Sequence, residues 1–216
     1  MTVKAIIFDL DGTLLNTLED LADSMNRVLE RMGFPTHPTD AYKYFVGDGI
    51  EILARRVLPE TQQNPQTVNS CVEEMKREYG AHWRDKTCPY KGVNDMLNVL
   101  AERNISLNIL SNKPDALTQL TVSAFFPSCS FDIVAGAKKE IPKKPDPTSA
   151  LHIIKALNLP NNQFLYLGDT NTDMETAKKA GIFAIGALWG FRTAAELRAS
   201  GAQALLEQPL DILQHI

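Results

Sequence analysis

Short apolar runs alternate with amphipathic stretches along most of this chain. Lys4 to Leu10, with β-branched Ile6 and Ile7, reads as a buried strand that ends in Asp9-Leu10-Asp11-Gly12, where Gly12 suits a turn. Leu18, Leu21, Met25, Val28, Leu29 and Met32 then share one face at helical spacing, and Gly33 with Pro35 closes that helix. Ile50, Leu53, Val57 and Leu58 mark a second helix, and Cys71, Val72, Met75 and Tyr79 a third. From Thr17 to about Trp83 no strand pattern stands out.

After Cys88-Pro89-Tyr90 the pattern changes. A helix with Val93, Met96, Leu97 and Leu100 inward precedes a strand at Ile105 to Leu110. A helix with Leu117, Leu120 and Ala124 precedes a strand near Phe131 to Ala135. Asp146-Pro147 reads as an N-cap followed by proline in the first turn, with Leu151, Ile154 and Leu157 on the buried face. Phe164 to Leu167, Asn171 to Ala180 and Ile182 to Ala187 continue as strand, helix, strand. Strands alternating with single helices imply βαβ units. The expected fold is α/β: a Rossmann-like, doubly wound parallel sheet with an inserted all-helical cap. Its discontinuous core takes residues 1–15 and 85–216, and the cap takes 16–84.

Composition adds exclusions. With 44% hydrophobic and 22% charged residues the chain has globular usage, so disorder is not expected. The net charge is −4 and no basic stripe is visible, which argues against nucleic acid as a partner. Ile182 to Phe191 is far shorter than the ~18 residues a spanning helix needs, so no membrane is expected. Cys71, Cys88 and Cys129 are scattered, without a C-x-x-C pair, which fits a reducing, cytoplasmic setting.

The acidic residues fall at particular places. Asp9 and Asp11 follow the first strand, Ser111 and Asn112 the strand ending at Leu110, and Asp169 and Asp173 the strand ending at Leu167. Ligands of open parallel sheets bind at the carboxyl ends of strands. Carboxylates gathered there repel one another unless a cation intervenes. Oxygen donors without His or Cys at metal spacing point to Mg²⁺ over zinc. A crevice with Mg²⁺, a lysine and a hydroxyl suits a phosphoryl group, whose transfer is mostly positioning and charge stabilisation.

Four segments in order, Asp9-Leu10-Asp11-Gly12-Thr13-Leu14, Ser111-Asn112-Lys113, Lys144-Pro145-Asp146-Pro147 and Gly168-Asp169-Thr170-Asn171-Thr172-Asp173, resemble the signature motifs of the haloacid dehalogenase superfamily. Phe45-Val46-Gly47-Asp48-Gly49-Ile50, the stretch from Asp85 to Val93, and Trp189-Gly190-Phe191-Arg192 look like its phosphoglycolate phosphatase branch. The resemblance implies roles. Asp9 would be the nucleophile that forms an acyl-phosphate, and Asp11 the acid and base, its backbone carbonyl also binding Mg²⁺. Asp169 and Asp173 would complete the metal site with Asp9. Ser111 and Asn112 would bind the phosphoryl group, and Lys144 would offset its charge. The implied enzyme is a phosphoric monoester hydrolase acting on a small phosphate ester, 2-phosphoglycolate first, as a monomer or homodimer. A pyrophosphatase, a sugar-phosphate phosphatase or a β-phosphoglucomutase-like phosphomutase are alternatives within the chemistry. A binding or regulatory protein that keeps the fold without turnover is the alternative outside it.

Several positions stay open on sequence. Gly47 and Gly49 are either substrate contacts or a turn that starts a helix. Arg55 and Arg56 either face a substrate carboxylate or form a solvated helix face. Lys143 adjoins Lys144, which is preferred because it directly precedes Pro145. Asn16 stands where many relatives carry Asp. The start of a calcium loop at Asp169-x-Asn171-x-Asp173 fails at Met174 and Ala180, where Gly and Glu are required.

Overall fold

The structure is a computed structural model and describes residues 2–216. The strands are β1 (Ala5–Phe8), β2 (Leu15–Asn16), β3 (Cys88–Pro89), β4 (Ser106–Pro114), β5 (Ile133–Ala137), β6 (Phe164–Gly168), β7 (Phe183–Ala187) and β8 (Ala204–Leu206). Six form one parallel sheet in the order β5-β4-β1-β6-β7-β8, while β2 and β3 pair separately. The sheet is wound in both directions from β1, so the switch point lies at the carboxyl end of that strand.

Burial on both faces explains why the strands read as near-continuous apolar runs. Ile6 and Phe8 face one way with Leu107, Ile109, Leu165, Leu167 and Ile185, against Val93, Met96, Leu97 and Leu100 of the helix Val93–Glu102. Ala5 and Ile7 face the other way with Tyr166 and Ala184. There they meet Ala150, Ile153 and Ile154 of the helix Thr148–Leu157 and Met174 and Ala177 of the helix Asn171–Ala180. Each fully buried Ile, Leu or Phe is worth about 1.5–3 kcal/mol relative to exposure.

Two helix faces differ from the sequence expectation. In the helix Asp115–Phe125 the buried positions are Thr118, Thr121 and Val122, while Leu120 is 50% exposed. Thr118 Oγ1 donates to the carbonyls of Lys113 and Pro114, and a Cβ on Gly136 would lie 2.6 Å from that oxygen. A small polar residue is what this close approach admits, and leucine is displaced outward. In Thr148–Leu157, Ile154 is buried and Leu157 packs on the core as expected, but Ala150 and Ile153 take the other inward positions and Leu151 is 42% exposed. The helix Ala194–Ser200 and strand β8 had no expectation attached to them.

The chain divides into two compact units, residues up to Leu15 with Pro89–Ile216, and Asn16–Cys88. The second boundary falls at 88/89, later than the 84/85 expected, because the segment before it is tied into the helical unit. The Asp20 carboxylate accepts from Lys86 N at 2.9 and 3.1 Å, from Thr87 N at 2.8 Å and from Thr87 Oγ1 at 2.7 Å. The helical unit packs Leu18–Arg31, Ile50–Val57 and Pro65–His82 through Met25, Val28, Leu29, Leu53, Val57, Cys71, Met75 and Tyr79. Among the described residues no helix is long and apolar enough to cross a membrane.

Candidate active site

Strand register sets the site. Phe8 pairs with Ile109 on one side and Leu167 on the other, so Asp9, Ser111 and Asp169 lie toward the carboxyl ends of three adjacent strands, Ser111 still within β4. Asp9 N donates to the Leu167 carbonyl at 2.9 Å, which carries the pairing one residue past β1, and Asp9 Oδ1 accepts from Leu10 N at 2.7 Å. Gly12, at φ +89°, turns the chain away and donates its N–H to the Leu15 carbonyl.

Asp169 and Asp173 come from the loop after β6 and the helix that follows it. Thr170 caps this helix in a capping box with Asp173, whose Oδ2 accepts from Thr170 N at 3.0 Å and Thr170 Oγ1 at 2.7 Å. Asp173 Oδ1 accepts from Tyr166 O–H at 3.2 Å and from Lys144 Nζ at 2.6 Å. Asp169 is gripped on both oxygens, by Thr13 Oγ1 at 2.8 Å and by Phe191 N at 2.9 Å. Three glycines make room for these carboxylates. A Cβ on Gly12 or Gly190 would lie 2.3 or 2.2 Å from Asp169 atoms, and one on Gly168 would lie 2.4 Å from Asp173.

The carboxylates of Asp9, Asp169 and Asp173 each offer an oxygen, all within 4.8 Å of one another, and all three are buried. One ammonium faces them: Lys144 Nζ lies 2.9 Å from Asp9 Oδ1 as well as on Asp173. Burial, then the charge of Asp173, push the Asp9 carboxyl well above the ordinary range, and Lys144 offsets only part of this. Burial and Asp173 likewise raise Asp169 to about 7, against the hydrogen bonds from Phe191 and Thr13. Burial alone would pull Lys144 down, but Asp173 and Asp9 together hold it well above its ordinary value. Such a charge excess, carried on oxygen donors with neither His nor Cys among them, fits a hard divalent cation.

The family model for haloacid dehalogenase-like hydrolases matches residues 6–187, which takes in Asp9, Asp11, Ser111, Lys144, Asp169 and Asp173. The chain belongs to this family. The phosphoglycolate phosphatase of Aquifex aeolicus is 28% identical over 212 residues, covering 98% of the chain and 96% of its own length. That of Pseudomonas putida is 27% identical, covering 94% of the chain and 76% of its own length. A crystal structure from Lactobacillus delbrueckii subsp. bulgaricus, provisionally named a phosphoglycolate phosphatase, superposes with a TM-score of 0.94 at 30% identity. It covers 100% of this chain and 99% of its own. The hydrolase is thus a phosphatase, a phosphoric monoester hydrolase similar to the phosphoglycolate phosphatases.

In this haloacid dehalogenase-like hydrolase the adjacent lysines part company: Lys144 is buried on Asp9 and Asp173, and Lys143 is exposed. Ser111 is buried at the end of the β4 apolar run, its Oγ accepting from Lys113 N at 3.2 Å. The Asn112 amide is engaged with the main chain of Lys144. Its Oδ1 accepts from Lys144 N at 2.9 Å and its Nδ2 donates to the Lys144 carbonyl at 3.1 Å, so it holds the lysine's backbone. The carboxylate of Asp11 stands outside the Asp9 group and pairs with Lys113. Asn16 Oδ1 accepts from Leu18 N at 3.4 Å at the start of a helix.

Gly47 and Gly49 lie in the helical unit at φ +113° and +91°, where Gly49 precedes the helix Ile50–Val57. Between them Asp48 pairs with Arg56 at 2.5 Å, and Arg56 also donates to the Tyr44 and Phe45 carbonyls. Arg55 pairs with Glu51. These contacts build the turn into that helix. Sequence reasoning missed Thr13, Lys113 and the Phe191 amide. Thr13 and Lys113 both lie inside segments singled out on sequence, but no spacing rule says which distant carboxylate each would meet.

Proposed function

We propose that this phosphatase hydrolyses 2-phosphoglycolate, or a small anionic ester close to it, through an aspartyl-phosphate on Asp9. The observation that carries the reading is the group of three buried carboxylates at the carboxyl ends of β1 and β6, two of them paired with one buried ammonium. Similarity to phosphoglycolate phosphatases over nearly the whole chain supports the substrate. The Asn16–Cys88 unit is read as the cap.

Asp9, Asp169, Asp173 and the backbone carbonyl of Asp11 would hold Mg²⁺, which supplies charge neutralisation for the carboxylates and the phosphoryl oxygens. Asp9 attacks phosphorus in line, forming a carboxyl-oxygen-to-phosphorus bond as the ester P–O bond breaks. Asp11 gives its proton to the departing oxygen, then takes one from the water that releases phosphate. Lys144, fixed on Asp9, opposes the charge spread over the transferred group. Ser111 donates its hydroxyl to a phosphoryl oxygen.

The test is a panel of phosphoglycolate, sugar phosphates, nucleotides and pyrophosphate, assayed with Mg²⁺ and again with EDTA. Phosphoglycolate should show the highest kcat/KM, EDTA should abolish release, and Asp9→Asn should be inactive. A low rank for phosphoglycolate removes the substrate assignment alone. Normal turnover in Asp9→Asn removes the covalent mechanism.

A further inference from the structure

The carboxylate given the proton-transfer role in the reading above is held by a residue with no role yet. Lys113 follows Ser111 by two positions on β4, and its side chain is 4% exposed. Its Nζ lies 2.8 Å from Asp11 Oδ1 and 3.0 Å from Oδ2, so one ammonium clasps both oxygens. The base of the lysine is itself fixed, with Lys113 N on Ser111 Oγ at 3.2 Å and the Lys113 carbonyl accepting from Thr118 Oγ1 at 3.1 Å. The Asp11 side chain is 20% exposed, the least enclosed of the aspartates around the crevice.

A carboxyl group held on both oxygens has a fixed plane and direction, and proton transfer is sensitive to both. The clasp on both oxygens suits Asp11 as it stands between the two steps, without its proton; when it carries the proton for the first step, one oxygen stays on Lys113 and the other presents the O–H. We propose that Lys113 is a positioning residue for Asp11, aiming its carboxyl group at the leaving-group oxygen. This rests on the assignment of Asp11 as acid and base. In the step concerned, the bond from phosphorus to the ester oxygen breaks, the bond from Asp9 to phosphorus forms, and the carboxyl proton of Asp11 passes to the departing oxygen. Lys113 takes no part in the covalent exchange.

The leaving group separates this role from general charge balance. An alkyl phosphate expels a strongly basic oxygen that needs the proton, whereas p-nitrophenyl phosphate expels one that scarcely does. The experiment measures kcat/KM, which reports the first phosphoryl transfer, for phosphoglycolate and p-nitrophenyl phosphate in wild type, Asp11→Asn, Lys113→Met and the double variant. Asp11→Asn should lower the alkyl-to-aryl ratio by a factor on the order of 10². Lys113→Met should lower the same ratio at least ~10-fold, and the double variant should be no worse than Asp11→Asn, as expected for residues acting as a unit. Lys113→Arg, which keeps a cation on the carboxylate, should recover part of the ratio. If Lys113→Met does not fold, Lys113→Gln replaces it in the cycle.

Equal loss on both esters in Lys113→Met, or independent losses in the double variant, overturns the positioning role and leaves Asp11 as acid and base. An unchanged ratio in Asp11→Asn overturns the assignment of Asp11, and the role of Lys113 with it.

Discussion

The side chain of Asn112 grips the main chain of Lys144 through two hydrogen bonds, one to its N–H and one to its carbonyl. The ammonium at the other end of that lysine must serve two carboxylates at once. Asn112→Ala removes both bonds in a buried place, at about 1–3 kcal/mol for each group left unpartnered. Small displacements of a charge-stabilising group are costly to turnover. The kcat of Asn112→Ala is expected to fall on the order of 10²-fold, with a lower melting temperature. Wild-type kcat would show that Lys144 is held in place by other contacts.

Gly190→Ala would set a methyl group 2.2 Å from Asp169 Cβ and 2.6 Å from its carboxylate carbon and Oδ2, so the Asp169 side chain would have to move. Moving Asp169 also loosens its bond to Phe191 N. The Mg²⁺ concentration for half-maximal activity should rise at least ~10-fold, the scale on which the support of a metal ligand matters. Titration of activity against Mg²⁺ reads this directly, and an unchanged midpoint would remove Asp169 from the metal site.

The buried carboxylates make stability depend on pH. Asp169 has its folded value raised to about 7, above the ~4 of an unfolded aspartate. Between those values the folded chain holds a proton that the unfolded chain has lost, so stability falls as pH rises through the window. Asp9, also raised, acts in the same direction. In EDTA the melting temperature should fall between about pH 4 and about pH 7. Mg²⁺ should restore much of the loss at the upper end and change little at the lower end. A melting temperature in EDTA that climbs across this window would contradict the charge excess.

Asp20 sits at the start of a helix and receives the backbone of Lys86 and Thr87 from the far end of the helical unit. Asp20→Ala strands buried donors and should cost about 3–5 kcal/mol by denaturant unfolding. Cleavage by trypsin after Lys86 should accelerate in the native protein. Unaltered cleavage would mean that the segment is held elsewhere.

Much of this was legible because apolar runs ending in Asp, Ser or Gly mark strand ends, and the order of such ends brings Asp9, Ser111 and Asp169 together. The helix Asn171–Ala180 was readable from its first turn to its C-terminal glycine. Contacts between distant loops left no such trace. Thr13 meets Asp169 across 156 positions, and Lys113 meets Asp11 across 102. Neither distance imposes a period on the sequence. The face of the helix Asp115–Phe125 is hidden for a related reason: Thr118 is inward because a glycine in the neighbouring strand admits it, a relation set by packing. The Gly47-Asp48-Gly49 ambiguity is of the same kind, since whether Asp48 pairs with Arg56 cannot be read from spacing alone.

The strand that leads into Asp9 takes its hydrogen-bonding neighbours from segments that begin at Ser106 and Phe164. A nascent chain that has passed Pro114 but stops short of Phe164 holds Asp9 with only one flank of the strand that aims it, and neither Asp169 nor Asp173. The group of three carboxylates can therefore form only once the segment carrying Asp173 has been made, and products terminated before it lack the group by topology alone.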